Sequence, residues 1–344
     1  MIKLNRFYPA FLSLGLFGGF AYFFLFLPVV PETLNNDVVK FNAPLPIEDA
    51  SQQLENQGFL SNTFSFKQWS SWVGLKNVRT GRFKIKPNWS AYQLAKHLKE
   101  GEQAPFKLTL NLEKTPAQVA GKVARIVEGD SLSFLETFTN PIVLDSLHLT
   151  KDKLMCVFMP NTYEVYWHTE PRKFLDRMVR EYKKFWNADR LSKAQALNLS
   201  PEDCIVLASL VEKETRRTNE RPIVARAYYN RLQKRMRLQC DPTVYYAIMD
   251  IEKASTTRQL TKSDLLLQHP YNTYTNEGLP PGPICMPSMN CIESVLNMDT
   301  NNYLFFCAEP NEDGKLLFAE TFEQHIVNAR RFREWLNTRQ TNKL

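Results

Sequence analysis

Cys204-Ile-Val-Leu-Ala-Ser-Leu-Val-Glu-Lys-Glu-Thr215 opens on a long apolar run and closes on three charges in a row. Read as a helix at about 100° per residue, Val206, Leu207, Leu210 and Val211 form one apolar arc, and Glu214 projects from the middle of it. Glu212 points roughly the opposite way, near Ser209 and Arg216, where an ordinary i,i+4 pair with Arg216 in solvent is expected. A carboxyl held against aliphatic side chains is desolvated. Its pKa rises, and it stays protonated near neutral pH, which is what a general acid requires. Ile205 and Ala208 blur the edges of the arc, so the pattern also fits a helix that stops here and lets Glu214 reach water.

Outward from this stretch, Pro201 to Thr215 and Glu220 to Lys234 read as two helices. Arg217 to Asn219 breaks them, and Pro222 sits where a first-turn proline is tolerated. Upstream, Leu132 to Arg190 reads as mainly helical, interrupted by the aromatic segment Phe158-Met-Pro-Asn-Thr-Tyr-Glu-Val-Tyr-Trp167. Such faces suit sugar rings, and core packing explains them as well. Further upstream a strand-then-helix pattern recurs. Val38 to Phe41 precedes Ile47 to Asn56, Gly81 to Lys86 precedes Ser90 to Glu100, and Phe106 to Leu112 precedes Thr115 to Val127. In the second copy Leu94 and Leu98, one turn apart, face a core. Downstream, Gly278-Leu-Pro-Pro-Gly-Pro-Ile284 cannot be a helix and forms a stiff loop, fit for an active-site wall or a plain connector. Asn302 to Cys307 is a strand candidate, and Phe322 to Thr338 a closing amphipathic helix.

Tyr8 to Val30 carries no charge and is long enough to span a hydrocarbon core as a helix. Lys3 and Arg6 precede it while Glu32 and Asp37 follow, so the positive-inside bias places residue 1 in the cytoplasm and the chain after about residue 31 outside. A cleaved signal peptide is the alternative, but the stretch is long and no A-x-A-like site follows. With 344 residues, 44% hydrophobic and 23% charged, the chain can fold into more than one domain with a sizeable core. The 43 basic and 36 acidic residues give +7, compatible with an anionic partner. No Lys/Arg tract is interleaved with aromatics as a nucleic-acid groove needs, so no nucleic acid is expected. The six cysteines contain no C-x-x-C, and their pairing is left open between bridges and buried free thiols. The five histidines show no ligand spacing, so neither a metal nor another cofactor is expected.

Val211-Glu-Lys-Glu-Thr215, Asn230-Arg-Leu232, Met236-Arg-Leu-Gln-Cys-Asp-Pro-Thr243, Tyr271-Asn-Thr-Tyr274 and Gly278-Leu-Pro-Pro-Gly-Pro-Ile284 together resemble the endolytic murein transglycosylases, the YceG-like family. The motifs occur in the family's order, Gly81 to Gly101 looks like its LysM-like subdomain, and Phe158 to Tyr163 resembles its F-x-P-[DN]-T-Y element. Resemblance is weak from Leu34 to Leu75. The expected architecture is α+β: a cytoplasmic N-terminus over 1–7, a transmembrane anchor over 8–30, a small LysM-like α/β subdomain with its connector over 31–105, and a mixed, helix-rich catalytic domain over 106–344. In the family the second glutamate of the E-K-E-T motif is catalytic, which falls on Glu214. The chain departs from the commonest form at Asn161, where many relatives have Asp, and at Cys240, where Thr is frequent.

The resemblance implies a membrane-anchored enzyme of the bacterial inner membrane that cleaves the β-1,4 bond between N-acetylmuramic acid and N-acetylglucosamine and leaves 1,6-anhydro ends. Peptidoglycan glycan strands are the implied substrate, and a peptidoglycan polymerase is the implied partner. One inward carboxyl, with Glu212 turned away, fits a lytic transglycosylase better than a two-carboxylate hydrolase. Tyr274, Asn272 and Gln239 are candidates for hydrogen bonds to sugar hydroxyls and acetamido groups, and Arg237 for the substrate's carboxylates. Asn230 is a candidate for holding Glu214 or the sugar. Asp241 is either a ligand group or a helix N-cap. Glu220 and Arg226 are expected to form a structural ion pair. The rival reading is a catalytically silent, membrane-anchored protein that binds cell-wall glycan. A Ser or Cys hydrolase lacks a G-x-S-x-G elbow and has little support.

Overall fold

A computed structural model describes residues 27–341 except 112, 128, 253–257 and 312. The chain divides into two compact units, the first running to Lys107 and including Glu164–Thr169, the second comprising Leu108–Tyr163 and Glu170–Leu344.

In the first unit β1 (Val38–Phe41) and β4 (Gly81–Lys84) pair antiparallel, with Val39 opposite Phe83 and Phe41 opposite Gly81. Between them lie the short pair β2 (Leu45–Pro46) and β3 (Asn77–Val78), and the helices α1 (Ile47–Asn56) and α2 (Thr63–Trp72). The strand-then-helix copies are therefore not repeated units, because the first two strands close one antiparallel pair around two helices. Helix α2 escapes the sequence pattern, although Asn62 caps it by accepting from the Ser65 N–H. Ser90 and Gln93 form a capping box at the start of α3 (Ala91–Glu100), whose Leu94 and Leu98 are fully buried.

The expected membrane helix over 8–30 is not supported. Residues 8–26 lie outside the described residues, and the last four are not helical. Pro28 forms an isolated bridge with Ser90, and Val29 and Val30 donate their N–H groups to the Trp89 carbonyl. Their side chains are 4% and 2% exposed within the core of this unit, beside Leu60 and Ile85. The tail of the apolar run is thus core packing, with Pro28 unable to continue a helical hydrogen-bond ladder. Among the described residues no helix is long and apolar enough to cross a membrane. Among the described residues the fold class is mixed helix and sheet, with no transmembrane element.

The chain passes between the units within β5 (Phe106–Leu110) and again within β6 (Asn161–Val165). In the second unit come α4 (Pro116–Val127), α5 (Ser131–Thr139), α6 (Pro141–Ser146), a 3-10 turn at Leu154–Val157, α7 (Pro171–Phe185) and α8 (Ala188–Ala196). Phe158, Tyr163 and Trp167 of the aromatic segment are buried, so their rings serve packing.

At the centre of this unit is α9 (Pro201–Glu214), begun by a capping box of Ser200 and Asp203. Every residue from Cys204 to Val211 is buried. This helix is apolar all round, which explains why Ile205 and Ala208 blur the predicted arc. Helices α10 (Arg221–Gln233) and α13 (Met289–Leu296) pack on it, with α11 (Asp241–Glu252) and α12 (Lys262–Leu265) between them in sequence. A hairpin of β7 (Phe305–Ala308) and β8 (Leu316–Ala319) and the helix α14 (Phe322–Thr341) complete the unit.

Segment 278–284 adopts no regular structure, as its prolines demand. It seals the far side of α9, where the Ile284 N–H donates to Ser209 Oγ at 3.1 Å, and Ser209 Oγ donates to the Val206 carbonyl. A Cβ on Gly282 would lie 2.0 Å from the Asp152 carbonyl oxygen, so glycine is required for this approach.

Candidate active site

Helix α9 ends at Glu214, because Thr215 turns to an extended conformation at φ −140°, ψ 137°. Glu214 nevertheless does not run out into bulk water. It is half-buried in a cavity of about 280 Å³ lined also by Tyr228, Arg231, Leu238, Gln239, Asp241, Tyr274, Phe306 and His325.

Two donors reach its carboxyl. Tyr228 Oη donates to Oε1 at 2.6 Å, and the Cys240 thiol donates to the same oxygen at 3.1 Å. Burial raises the Glu214 pKa above the ordinary carboxylate value, and the negative field of Asp241 adds to the rise. Tyr228, Cys240 and Arg231 oppose it without cancelling it. The result is a carboxyl biased toward its protonated form in a polar cavity.

The walls follow from local folding. Helix α10 carries Tyr228 and Arg231 on one face, three residues apart. Tyr228 is edge-on to Phe306, ring centroids 5.5 Å apart. The Arg231 guanidinium donates to the carbonyls of Leu304, Leu238 and Arg237, so it braces the strand entry and the following turn while its charge stays near Glu214. Gln239 adopts φ 50°, a left-handed conformation that costs a non-glycine residue about 1 kcal/mol. It is held there by the Tyr271–Tyr274 segment. Gln239 N–H donates to the Thr273 carbonyl, Cys240 N–H to Thr273 Oγ1, and Thr243 Oγ1 to the Cys240 carbonyl. This zipper places the Cys240 thiol on Glu214.

Of the residues expected at the site, Glu214, Gln239, Asp241 and Tyr274 line this cavity together. Tyr274 Oη donates to Asp241 Oδ1 at 2.5 Å. Asp241 starts α11 and is exposed, so a second carboxylate enters the cavity from a different helix. The wheel of a single helix could not reveal it, and the expectation of one inward carboxyl, with its preference for a transglycosylase over a two-carboxylate hydrolase, is corrected by this second group.

The other candidates lie elsewhere. Arg237 is exposed and donates to the Tyr274 carbonyl at 3.2 Å. Asn230 donates to the carbonyls of Asn301 and Tyr303, tying α10 to the segment before β7. Asn272 is fully buried. Its amide donates to the carbonyls of Leu265 and Leu267, and its oxygen accepts from the Tyr274 N–H. No residue of 278–284 lines the cavity, so that loop supports α9 from outside it.

Two expected ion pairs are replaced. Glu212 meets Arg221 at 3.0 Å and Ser288, not Arg216. Glu220 accepts from Thr215 Oγ1 and the Leu316 N–H and faces Arg217 at 3.5 Å, while Arg226 donates to the Asn301 carbonyl.

Sequence reasoning misses Tyr228, Arg231 and His325. Arg231 lies inside the Asn230-Arg-Leu232 motif, which was its available signal. His325 arrives from α14, and its ring stacks on Phe305 at 5.4 Å. Burial and the Arg231 charge lower its pKa, so it is a neutral imidazole at neutral pH. Among the described residues no group of His, Cys, Asp and Glu could hold a metal ion.

The sequence model of the YceG-like family matches residues 43–331. The chain is similar to the endolytic murein transglycosylase of Streptococcus pneumoniae serotype 2 (strain D39 / NCTC 7466), 27% identical over 348 residues, which cover 93% of this chain and 63% of that protein. This chain therefore spans less than two thirds of the pneumococcal relative's length. The endolytic murein transglycosylase of Bacillus subtilis (strain 168) is 26% identical over 293 residues, covering 79% of this chain and 78% of the relative. A solved structure, a yceG-like protein from Listeria monocytogenes, superposes with a TM-score of 0.57 at 27% identity, covering 85% of this chain and 98% of that one.

Proposed function

This chain belongs to the YceG-like family, and we propose that it is a lytic transglycosylase that cuts peptidoglycan glycan strands internally, with Glu214 as its acid and base. The observation that carries this reading is a half-buried carboxyl, held toward its protonated form by desolvation, at the wall of a polar cavity. The names of the pneumococcal and Bacillus relatives support the substrate class.

Protonated Glu214 donates to the glycosidic oxygen between N-acetylmuramic acid and N-acetylglucosamine as the C1–O bond breaks, and positive charge develops at C1. The C6 hydroxyl of the same muramic residue then attacks C1 and returns its proton to Glu214. The product carries a 1,6-anhydro end, and the acid is regenerated without water entering the bond.

Asp241 bears on the charged centre. Its carboxylate, held by Tyr274, supplies negative potential in the same cavity, where an oxocarbenium-like C1 gains from it. Gln239 and Tyr274 offer hydrogen bonds to hydroxyl and acetamido groups, and Arg237 at the exposed edge offers charge to the lactyl or peptide carboxylates. Asn230 and Asn272 act through the backbone that they hold. The site of action is the cell envelope, on newly made strands beside a peptidoglycan polymerase, where cutting ends strand growth.

Glu214→Gln tests the assignment. The variant keeps the shape of the side chain and loses the titratable proton, so purified protein should release no soluble fragments from glycan strands while retaining its fold. Wild-type turnover in that variant refutes the assignment. Binding of strands by wild-type protein without cleavage would favour the silent, glycan-binding reading.

A further inference from the structure

Both donors that reach Glu214 land on the same oxygen. Oε1 accepts from Tyr228 Oη at 2.6 Å and from the Cys240 thiol at 3.1 Å, while Oε2 has no hydrogen-bond partner among the described residues. Nor is Oε2 among the buried polar atoms that lack a partner, so it has access to the cavity that Glu214 lines. The two oxygens of one carboxyl are therefore in different surroundings.

We propose that Tyr228 and Cys240 are positioning residues that fix Oε1 as the acceptor, so that Glu214 carries and delivers its proton from Oε2. The proposal rests on the reading of Glu214 as the acid. A proton on Oε1 would face two donors already aimed at that atom, and at least one would have to turn away. Tyr228 and Cys240 are both buried, with the Tyr228 ring set against Phe306, so a hydroxyl turned from the carboxyl keeps only the weakly accepting Cys240 sulfur beside it. A proton on Oε2 meets no such conflict.

The same arrangement serves the proton transfer itself. When Oε2 gives its proton to the glycosidic oxygen, the new negative charge spreads to Oε1, and both hydrogen bonds become charge-assisted. When the C6 hydroxyl attacks C1, its proton returns to Oε2, so no net proton is gained or lost. In this chain a thiol supplies the second donor.

The charged and titratable groups around the carboxyl come from four places. Tyr228 and Arg231 lie on α10, Cys240 just before α11 and Asp241 at its first position, Tyr274 on the segment that holds them, and His325 on α14. Arg231 favours the carboxylate, while Asp241 disfavours it. Tyr274 is committed to Asp241.

The experiment is the pH profile of kcat/KM for glycan cleavage by the full chain. A general acid must be protonated, so activity falls as pH rises through the Glu214 pKa. Tyr228→Phe removes a donor that favours the carboxylate, so the basic limb should move up by about one pH unit and the plateau should fall about tenfold. Cys240→Ala should shift the limb the same way by less. Cys240→Ser, which keeps a donor, should restore the wild-type limb, a rescue that a purely structural role does not give. Unmoved limbs in Tyr228→Phe and Cys240→Ala, with wild-type melting temperatures and an inactive Glu214→Gln, overturn the proposal alone. An active Glu214→Gln overturns the acid assignment and this proposal with it.

Discussion

Glu212 Oε2 accepts both the N–H and the hydroxyl of Ser288, at 2.9 and 2.5 Å, and thereby joins the last turn of α9 to the start of α13. Its other oxygen meets Arg221 Nη2 at 3.0 Å. Two residues along the same helix, Glu214 has neutral donors and a cavity. One glutamate is thus an ionised strut and the other a protonatable group, set by what neighbouring elements bring to each.

Glu212→Gln should cost about 2 kcal/mol of stability, because Arg221 keeps its buried position and loses its charge-assisted partner. Burial raises the Glu212 pKa, but Cys291, Ser288 and Arg221 outweigh it, and the net shift is downward. A depressed folded-state pKa contributes stability that is full above the ordinary value of 4.5 and is lost as pH falls through the folded value. Wild-type protein should therefore lose stability below about pH 4.5, and Glu212→Gln should flatten that dependence. Chemical denaturation at several pH values checks both statements. Cleavage per folded molecule should stay substantial in this variant.

Thr215 caps the helix that ends in Glu214, and its hydroxyl donates to buried Glu220 at 2.8 Å while accepting from the Arg217 N–H at 3.1 Å. Thr215→Val keeps the volume and removes both bonds, so stability should fall by about 1–3 kcal/mol and turnover with it. Thr215→Ser should recover most of the loss. Equal melting curves for Thr215→Val and wild type would contradict this role.

Gly282 admits no side chain, since a Cβ there would meet the Asp152 carbonyl at 2.0 Å and Tyr271 Oη at 2.8 Å. Gly282→Ala should lower stability by about 1–3 kcal/mol through overpacking. Gly282 does not line the cavity, so the pH dependence of cleavage should be unchanged.

All six cysteines are free, and five are buried. Burial pushes the thiols of Cys204, Cys285 and Cys291 up to about 12. A thiol reagent at pH 8 should label native protein slowly, beginning at the half-buried Cys307, and should find six thiols in denaturant. Rapid native labelling of Cys240 would contradict its position beneath Glu214.

Much of the second unit is legible in the chain because its signals are local. Pro201 to Thr215 reads as the helix that becomes α9, Pro222 marks the first turn of α10, and Phe322 onward reads as a helix. Glu214 is legible for a related reason, standing at the end of an apolar helix, although that helix is buried all round and offers no single arc. What surrounds Glu214 is not local. Tyr228 meets it from the next helix, Cys240 through a left-handed turn at Gln239, and His325 from α14, contacts that depend on how separate elements pack. Asn230 and Asn272 show the same dependence on packing, because a polar side chain in a motif can serve buried carbonyls as well as a ligand. The apolar run ending at Val30 misleads for a physical reason too, since Val29 and Val30 are as well served by a protein core as by lipid.

The most direct measurement is mass spectrometry of glycan ends after purified strands are incubated with wild-type protein and with Glu214→Gln. Wild-type protein should leave 1,6-anhydromuramyl ends, and the variant none. Reducing ends from the wild type, or anhydro ends from Glu214→Gln, would contradict the proposed function.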